Sequence, residues 1–301
     1  MIIMANYLEL GYYALRNLLF GVKFPVGISV DVTCRCNLNC KHCYFSRQHH
    51  TKELPGNELL SKIKETKRKY PSILHASWVG GEPLLRKDVV EEGIKLFPLN
   101  MVVTNGTMEL PKWKNCAFNV SVDGTREYYE KIRGRGIYDK VKGHANRDDV
   151  SVNVVCVLNR QNYHCIEDML KEWEKTRVNG VNFDFYTPIK GIRENLWLNW
   201  KERDKIILKL LELRKQYGDF LMNPEPVLEM MLSENSKKIT EDCIVPKAVV
   251  CLDPMGKRKL PCVIGNKADC SRCGCVIPFF MESVLIRKHI RSFLITKKGF
   301  T

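Results

Sequence analysis

Three cysteines in one short stretch of this 301-residue chain carry most of its readable chemistry. Cys36, Cys40 and Cys43 stand as CxxxCxxC within VDVTCRCNLNCKHCYF (Val30–Phe45), so a single loop can turn three thiolates toward one point. Three protein ligands leave a metal centre one ligand short. A closed structural site fills that position with protein, whereas a reactive site keeps it for substrate or cofactor. Taken alone, the spacing serves either a zinc knuckle, with His42 at hand, or an iron-sulfur cluster. Its setting adds information. The extended run Gly27–Thr33 precedes the cysteines and places them just past the C-terminal end of a predicted strand, the end at which α/β barrels build active sites. Cys34 is out of register with the trio and is expected to be a packed or spare thiol.

A second group follows the next predicted strand, LHASWV (Leu74–Val79), as Gly80-Gly81-Glu82-Pro83. Two glycines at a strand end let backbone approach a ligand with no Cβ in the way, Glu82 offers an acceptor for an ammonium group, and Pro83 stops further pairing.

The cysteine loop, the aromatic Tyr44 straight after its third cysteine, and the GGEP downstream together resemble the radical S-adenosylmethionine (radical SAM) enzymes. That resemblance implies a [4Fe-4S] cluster held by Cys36, Cys40 and Cys43, with its fourth iron binding the amino and carboxylate groups of SAM. It implies that Gly80, Gly81, Glu82 and Pro83 contact the SAM amino group and that Thr104 and Asn105 line the site. Ser121 and Asp123 would lie near SAM, with Arg133 pairing its carboxylate. TNG and VDG are also good turn sequences, so these polar residues have a purely conformational use as well. The implied reaction passes one electron to the sulfonium of SAM and releases methionine and a 5′-deoxyadenosyl radical that abstracts hydrogen from a substrate. An electron donor such as a ferredoxin or flavodoxin is the implied partner.

The elements that must position these residues alternate. Extended runs at Gly27–Thr33, Leu74–Val79, Asn100–Thr104, Ala117–Val122, Ser151–Leu158 and Val181–Tyr186 are interleaved with helical patterns at Glu58–Tyr70, Arg86–Leu96, Glu127–Ile132 and Tyr163–Thr176. Such βα alternation forces parallel strands with right-handed crossovers. Six units predict an α/β fold, a partial (β/α)6 TIM-type barrel open on one side. From Asn199 the rhythm stops, with helices expected at Lys201–Tyr217 and Val227–Leu232 and a polar linker at Ser233–Thr240.

Beyond lies a small cysteine-rich C-terminal module. Cys243, Cys251, Cys262, Cys270, Cys273 and Cys275 surround two short extended runs about the turn Asp253-Pro254-Met255-Gly256, a predicted hairpin. So little apolar content calls for a metal staple. The pattern is similar to the auxiliary-cluster modules of the SPASM/twitch branch of the family. The resemblance implies one auxiliary [4Fe-4S] cluster on Cys243, Cys262, Cys270 and Cys273, with Gly256 as the hairpin glycine and Cys275 or Cys251 as substitute ligands. A four-cysteine zinc ribbon fits the same pattern.

Thirteen cysteines, an odd number of which most fall in two metal-like groups, point to a reducing cytoplasm rather than a disulfide framework. The start MIIMANYLEL lacks the succession of a signal peptide. The expected organisation is an amphipathic N-terminal helix (1–25, apolar over Tyr7–Phe20), the barrel (26–200), a helical linker (201–241), the cysteine-rich module (242–280) and a basic amphipathic helix (281–301, Ser283–Ile295). His49 and His50 are expected to be exposed loop residues. The net charge of +14 calls for an acidic partner. With the two terminal helices it tilts the expectation toward an acidic substrate or an anionic membrane surface, while a peptide, a small metabolite and a lipid all remain open. A zinc-stapled nucleic-acid-binding protein is the competing class, but it leaves the GGEP and the six βα units without a purpose.

Overall fold

The computed structural model describes residues 24–48 and 51–289. The helix expected at Tyr7–Phe20, His49, His50 and the end of the helix expected at Ser283–Ile295 lie outside those residues.

Six strands follow one another with helices in every connection except that between the third and fourth. They are β1 (Gly27–Asp31), β2 (His75–Val79), β3 (Leu99–Thr104), β4 (Cys116–Ser121), β5 (Ser151–Leu158) and β6 (Val181–Phe185). Between them run α1 (Gly56–Lys69), α2 (Lys87–Ile94), α3 (Arg126–Arg133), α4 (Tyr138–Ala145) and α5 (Ile166–Trp173). All five strand pairs are parallel and in sequence order. This is the α/β partial barrel that the alternation predicts.

Period-two alternation divides the sheet into two faces. Ile28, Val30, Trp78, Val102, Phe118, Val154 and Phe183 turn to the helices and form the core with Leu59, Ile63, Val90, Leu170 and Trp173. The contact is close enough that a Cβ on Gly93 of α2 would stand 2.2 Å from the Trp78 ring. The opposite face is polar. Asn153 donates to Asn119, whose own amide reaches the Met101 sulfur.

After β6 come α6 (Trp200–Tyr217), α7 (Glu225–Met231), α8 (Ser233–Glu241) and α9 (Val245–Ala248). Asn199 and Glu202 form a reciprocal capping box at the start of α6. The polar linker expected at Ser233–Thr240 is corrected to helix α8. Asp204 of α6 accepts from the Ser233 amide at 2.8 Å and from its hydroxyl at 2.6 Å, a carboxylate at a helix N-terminus, and Ser236, Ile239 and Thr240 are buried. Helix α4 is also absent from the sequence reading, because its run YDKVKGHA is too short and polar to show a period.

The predicted hairpin forms from β7 (Val249–Leu252) and β8 (Arg258–Lys259), and it extends the barrel sheet. Strand β7 pairs parallel with β1, Ser29 opposite Cys251, to give the order β6-β5-β4-β3-β2-β1-β7-β8. The segment that follows runs back along β6 and its loop. Lys190 donates to the Lys267 carbonyl, Asp269 to that of Pro188 and Phe185 to that of Gly274, while the Val276 amide reaches the Asp184 carboxylate. The C-terminal segment therefore engages both edges of the six-stranded sheet. A short helix, α10 (Ile277–Met281), ends the regular part, followed by a π-helical turn at Glu282–Ile286.

Candidate cofactor site

The cysteine loop leaves β1 and is pinned at once. Glu53 accepts from the Thr33 hydroxyl and the Cys34 amide and thiol, and pairs with Arg35 at 3.2 Å. Arg86, buried, donates to the Val32 carbonyl. Cys34 is thus a held, half-buried thiol apart from the trio.

Gly80 and Gly81 close in on this same loop, where the sequence suggests an approach to a ligand. Gly81 donates to the Thr33 carbonyl and Glu82 to that of Arg35, at 2.9 and 2.8 Å. A Cβ on Gly81 would stand 2.0 Å from the Arg35 oxygen, and one on Gly80, whose φ is 118°, would stand 2.8 Å from that of Thr33. Both neighbours are backbone and cannot rotate aside. Gly81→Ala is therefore expected to displace residues 33–35 and lower the iron incorporated next to them. Gly143→Ala, on α4 with nothing within 4 Å, is expected to leave iron unchanged and to add up to about 1 kcal/mol of stability. Iron analysis and denaturation of the two variants check this.

Glu82, 1% exposed, is occupied within the protein. It accepts from the Thr104 hydroxyl at 2.7 Å, the Asn105 amide at 2.7 Å and the Leu84 amide at 3.1 Å. Burial pushes its carboxyl upward, and these donors partly offset the rise. Its carboxylate ties the turn after β2 to the end of β3, and Pro83 opens a buried 3-10 turn behind it. Asn105 reaches the other way, donating to Asn37 at 2.8 Å and to the Cys36 sulfur at 3.8 Å.

Asp123, fully buried, is the hub on the far side. It pairs with Arg133 at 2.6 Å and His42 at 3.0 Å and accepts from the Val157 amide. Burial alone would raise its carboxyl, but Arg133 and His42 hold it well below the usual carboxylate range. Arg133 also lies 3.9 Å from the Cys40 sulfur, and the Lys41 amide bonds the Ile132 carbonyl at the end of α3. The structure thus gives Asp123 and Arg133 each other as partners. Ser121, at the end of β4, lies half-buried on the polar face.

Each of the three sulfurs meets N–H donors: Cys36 from Leu38 and Asn105, Cys40 from Arg133, Cys43 from Ser46. Such donors favour thiolate, the form that binds metal, while burial works against it, raising the Cys36 thiol and pushing that of Cys40 up to about 11. Cys36 lies exposed at the mouth of the loop. Among the described residues no three His, Cys, Asp or Glu side chains are drawn together as ligands of a single ion would be.

The C-terminal cysteines form a second neighbourhood. Cys243, Cys262 and Cys270 lie within mutual electrostatic reach, as does Cys273 with Cys243 and Cys262. Backbone amides point at three of these sulfurs: Val245 at Cys243, Ile264 and Gly265 at Cys262, Cys275 at Cys273. Cys251 instead sits inside β7, and Cys275 is half-buried near Asp184. Tyr44 joins the two neighbourhoods. It follows Cys43 in the chain and packs with Cys262 and Cys270 against Ile189, Ile264 and Ala268, while Gln48 donates to the Ile264 carbonyl at 2.7 Å.

Sequence reasoning does not reach Glu53, Arg86, Asp31 or Lys259. Glu53 lies in a stretch without periodicity, and Arg86 is read only as the start of a helix. Asp31 did carry a signal, as a charge inside an otherwise apolar strand.

A family model described as the radical SAM superfamily matches residues 30–172. Fe-coproporphyrin III synthase of Methanosarcina barkeri is 32% identical over 180 residues, covering 52% of this chain and 43% of that protein. A cysteine-type anaerobic sulfatase-maturating enzyme of Clostridium novyi is 26% identical over 218 residues, covering 62% and 58%. The chain spans about half the length of the curated relatives it matches. Among solved structures, native anSMEcpe with bound AdoMet gives a TM-score of 0.61 at 19% identity, covering 92% of this chain and 84% of that one. Streptococcus suis SuiB bound to precursor peptide SuiA gives 0.61 at 13% identity, covering 80% and 60%. At these identities the likeness establishes the fold, which agrees with the partial barrel described above.

Proposed function

Residues 30–172 of this chain belong to the radical SAM superfamily, and on that premise we propose that the protein cleaves S-adenosylmethionine reductively and abstracts hydrogen from a substrate. The observation that carries this reading is the three-thiol loop, with a donor aimed at each sulfur. Cys36, Cys40 and Cys43 would hold a [4Fe-4S] cluster, which when bound supplies the electron that breaks a carbon–sulfur bond of SAM.

The chain's own residues do the positioning. Glu53 and the Gly80-Gly81 turn fix the entry of the loop, and Asn105 and the Asp123-Arg133-His42 network fix Cys36 and Cys40. Tyr44, the backbone at Gly80–Pro83, Thr104, Asn105 and Ser121 border the space in which SAM would lie. Because the Glu82 side chain is already engaged, carbonyl groups of its turn are the better acceptors for the SAM ammonium. Cys243, Cys262, Cys270 and Cys273 would hold one auxiliary cluster. With four protein ligands such a centre has a structural or electron-relay use rather than an open coordination site.

The substrate is a peptide or small metabolite bound on the polar face of the sheet. The structures compared include one with a bound precursor peptide. A ferredoxin or flavodoxin would supply electrons. No helix among the described residues is long and apolar enough to cross a membrane.

Two measurements on the anaerobically reconstituted full chain test the reading. Iron and acid-labile sulfide are expected, and the electron paramagnetic resonance signal of the reduced protein should change when SAM is added. Zinc without iron or sulfide, or a signal indifferent to SAM, would sink it.

A further inference from the structure

The sheet face turned away from the helices carries a carboxylate that the reading above does not use. Asp31, the last residue of β1, shares this face with Ser29 and, through the strand register, with Ser77 of β2 and Cys251 of β7. It is 0% exposed. One of its oxygens, Oδ2, pairs with Lys259 of β8, which also donates to the Val263 carbonyl. The other, Oδ1, has no hydrogen-bond partner among the described residues. An unmatched carboxylate oxygen in the interior is costly, and proteins seldom keep one without a use.

Its surroundings say what would complete it. Across the same face β6 contributes a second carboxylate, Asp184, which accepts from the Val276 amide. Of these two acids, Asp31 is the one that Lys259 pairs with. His75, also on this face, brings no charge, because burial pushes its imidazole down to about 4. The paired strands thus put two carboxylates and one ammonium on this face, although the chain as a whole is +14. Asp31 also lies within electrostatic reach of Tyr44, whose neighbour Cys43 belongs to the proposed cluster, so a group bound to Asp31 would sit close to the reacting end of the barrel.

We infer that Asp31 Oδ1 is a recognition point for a cationic nitrogen, an ammonium or guanidinium, on the substrate. This deepens the proposed function and rests on it, since the face is taken as the substrate chamber. A buried carboxylate that already shares one oxygen with Lys259 offers the free one to an N–H donor, and a charge-assisted bond there would fix orientation as well as add affinity. A substrate anion at the same point would meet the Asp31 carboxylate instead.

Calorimetric titration of the reconstituted full chain with agmatine, which carries both cation types and no carboxylate, tests this, with butyrate as the anionic control. Agmatine is expected to bind while butyrate does not. Asp31→Asn, close in shape, should weaken agmatine at least ten-fold. Lys259→Gln, which removes the competing ammonium, should tighten it. A purely structural Asp31–Lys259 pair would instead weaken binding in both variants or leave both unchanged. Absence of agmatine binding, equal binding to Asp31→Asn, weaker binding to Lys259→Gln, or binding of butyrate as good as that of agmatine would each overturn the inference. The titration involves no turnover, so its failure is read separately from a failure of the resonance signal to respond to SAM.

Discussion

Alanine at Cys36, Cys40 or Cys43 is expected to reduce 5′-deoxyadenosine formation from SAM to background while leaving the iron of the C-terminal cysteines in place. Each of the three sulfurs has its own donors and its own anchor, so none substitutes for another. Cys34, the nearest spare thiol, is bound to Glu53 and cannot swing into the gap without breaking that contact. Chromatography of the reaction products, with iron counted per chain, checks the expectation. Residual activity in one of the three variants would mean that the ligand has been misassigned.

Removing the Asp123 carboxylate is expected to have the next largest effect. Asp123→Ala leaves Arg133 buried without its counter-charge and His42 without its partner, and breaking a buried pair in this way costs about 3–5 kcal/mol. Chemical denaturation under anaerobic conditions measures it. Cys40 should lose its hold as well, because Arg133 is the donor to its sulfur and α3 carries the neighbouring backbone contact. The wild type then has a definite pH response. The Asp123 carboxyl is depressed in the folded state, so its contribution is fully present above the ordinary carboxylate pKa of about 3.9. It is lost as pH falls below that value toward the depressed one. Asp31 acts with the opposite sign. Burial raises its carboxyl to about 6 against the pull of Lys259, so the ionised form is disfavoured in the fold and its cost to stability is relieved as pH falls through 6. In Asp123→Ala the loss of stability below pH 4 should be smaller than in wild type.

The repeating part of the fold was legible because it rests on local period and on punctuation at strand ends. Six strands in order follow from alternating apolar runs, and the two cysteine groups follow from spacing. What joins them was not legible, since it is made of single contacts between distant stretches. Nothing around Glu53 marks it as the anchor of Thr33 and Cys34, and nothing in VVCL says that it will pair with β1 rather than stand in a separate module. The turn glycines were legible as residues but not in their reason, because the backbone they admit is that of residues 33–35. Glu82 and Arg133 show the same limit. A charged residue at a strand or helix end advertises a partner, and only the assembled barrel reveals that the partner is Thr104 and Asn105 in one case and Asp123 in the other.

The charge distribution also divides in a way the composition hides. A chain of net charge +14 suggests an acidic guest, and that remains the expectation for whatever meets its outer surface. The interior face has its own balance, set by Asp31, Asp184 and Lys259, and it is the interior that would meet a substrate during chemistry.

The central claim, that the three-thiol loop supports reductive cleavage of SAM, is tested most directly by incubating the anaerobically reconstituted and reduced full chain with SAM and quantifying both products. The expected result is 5′-deoxyadenosine and methionine in equal amounts, formed only with reductant present. Absence of 5′-deoxyadenosine from protein that carries its full complement of iron and sulfide would contradict it.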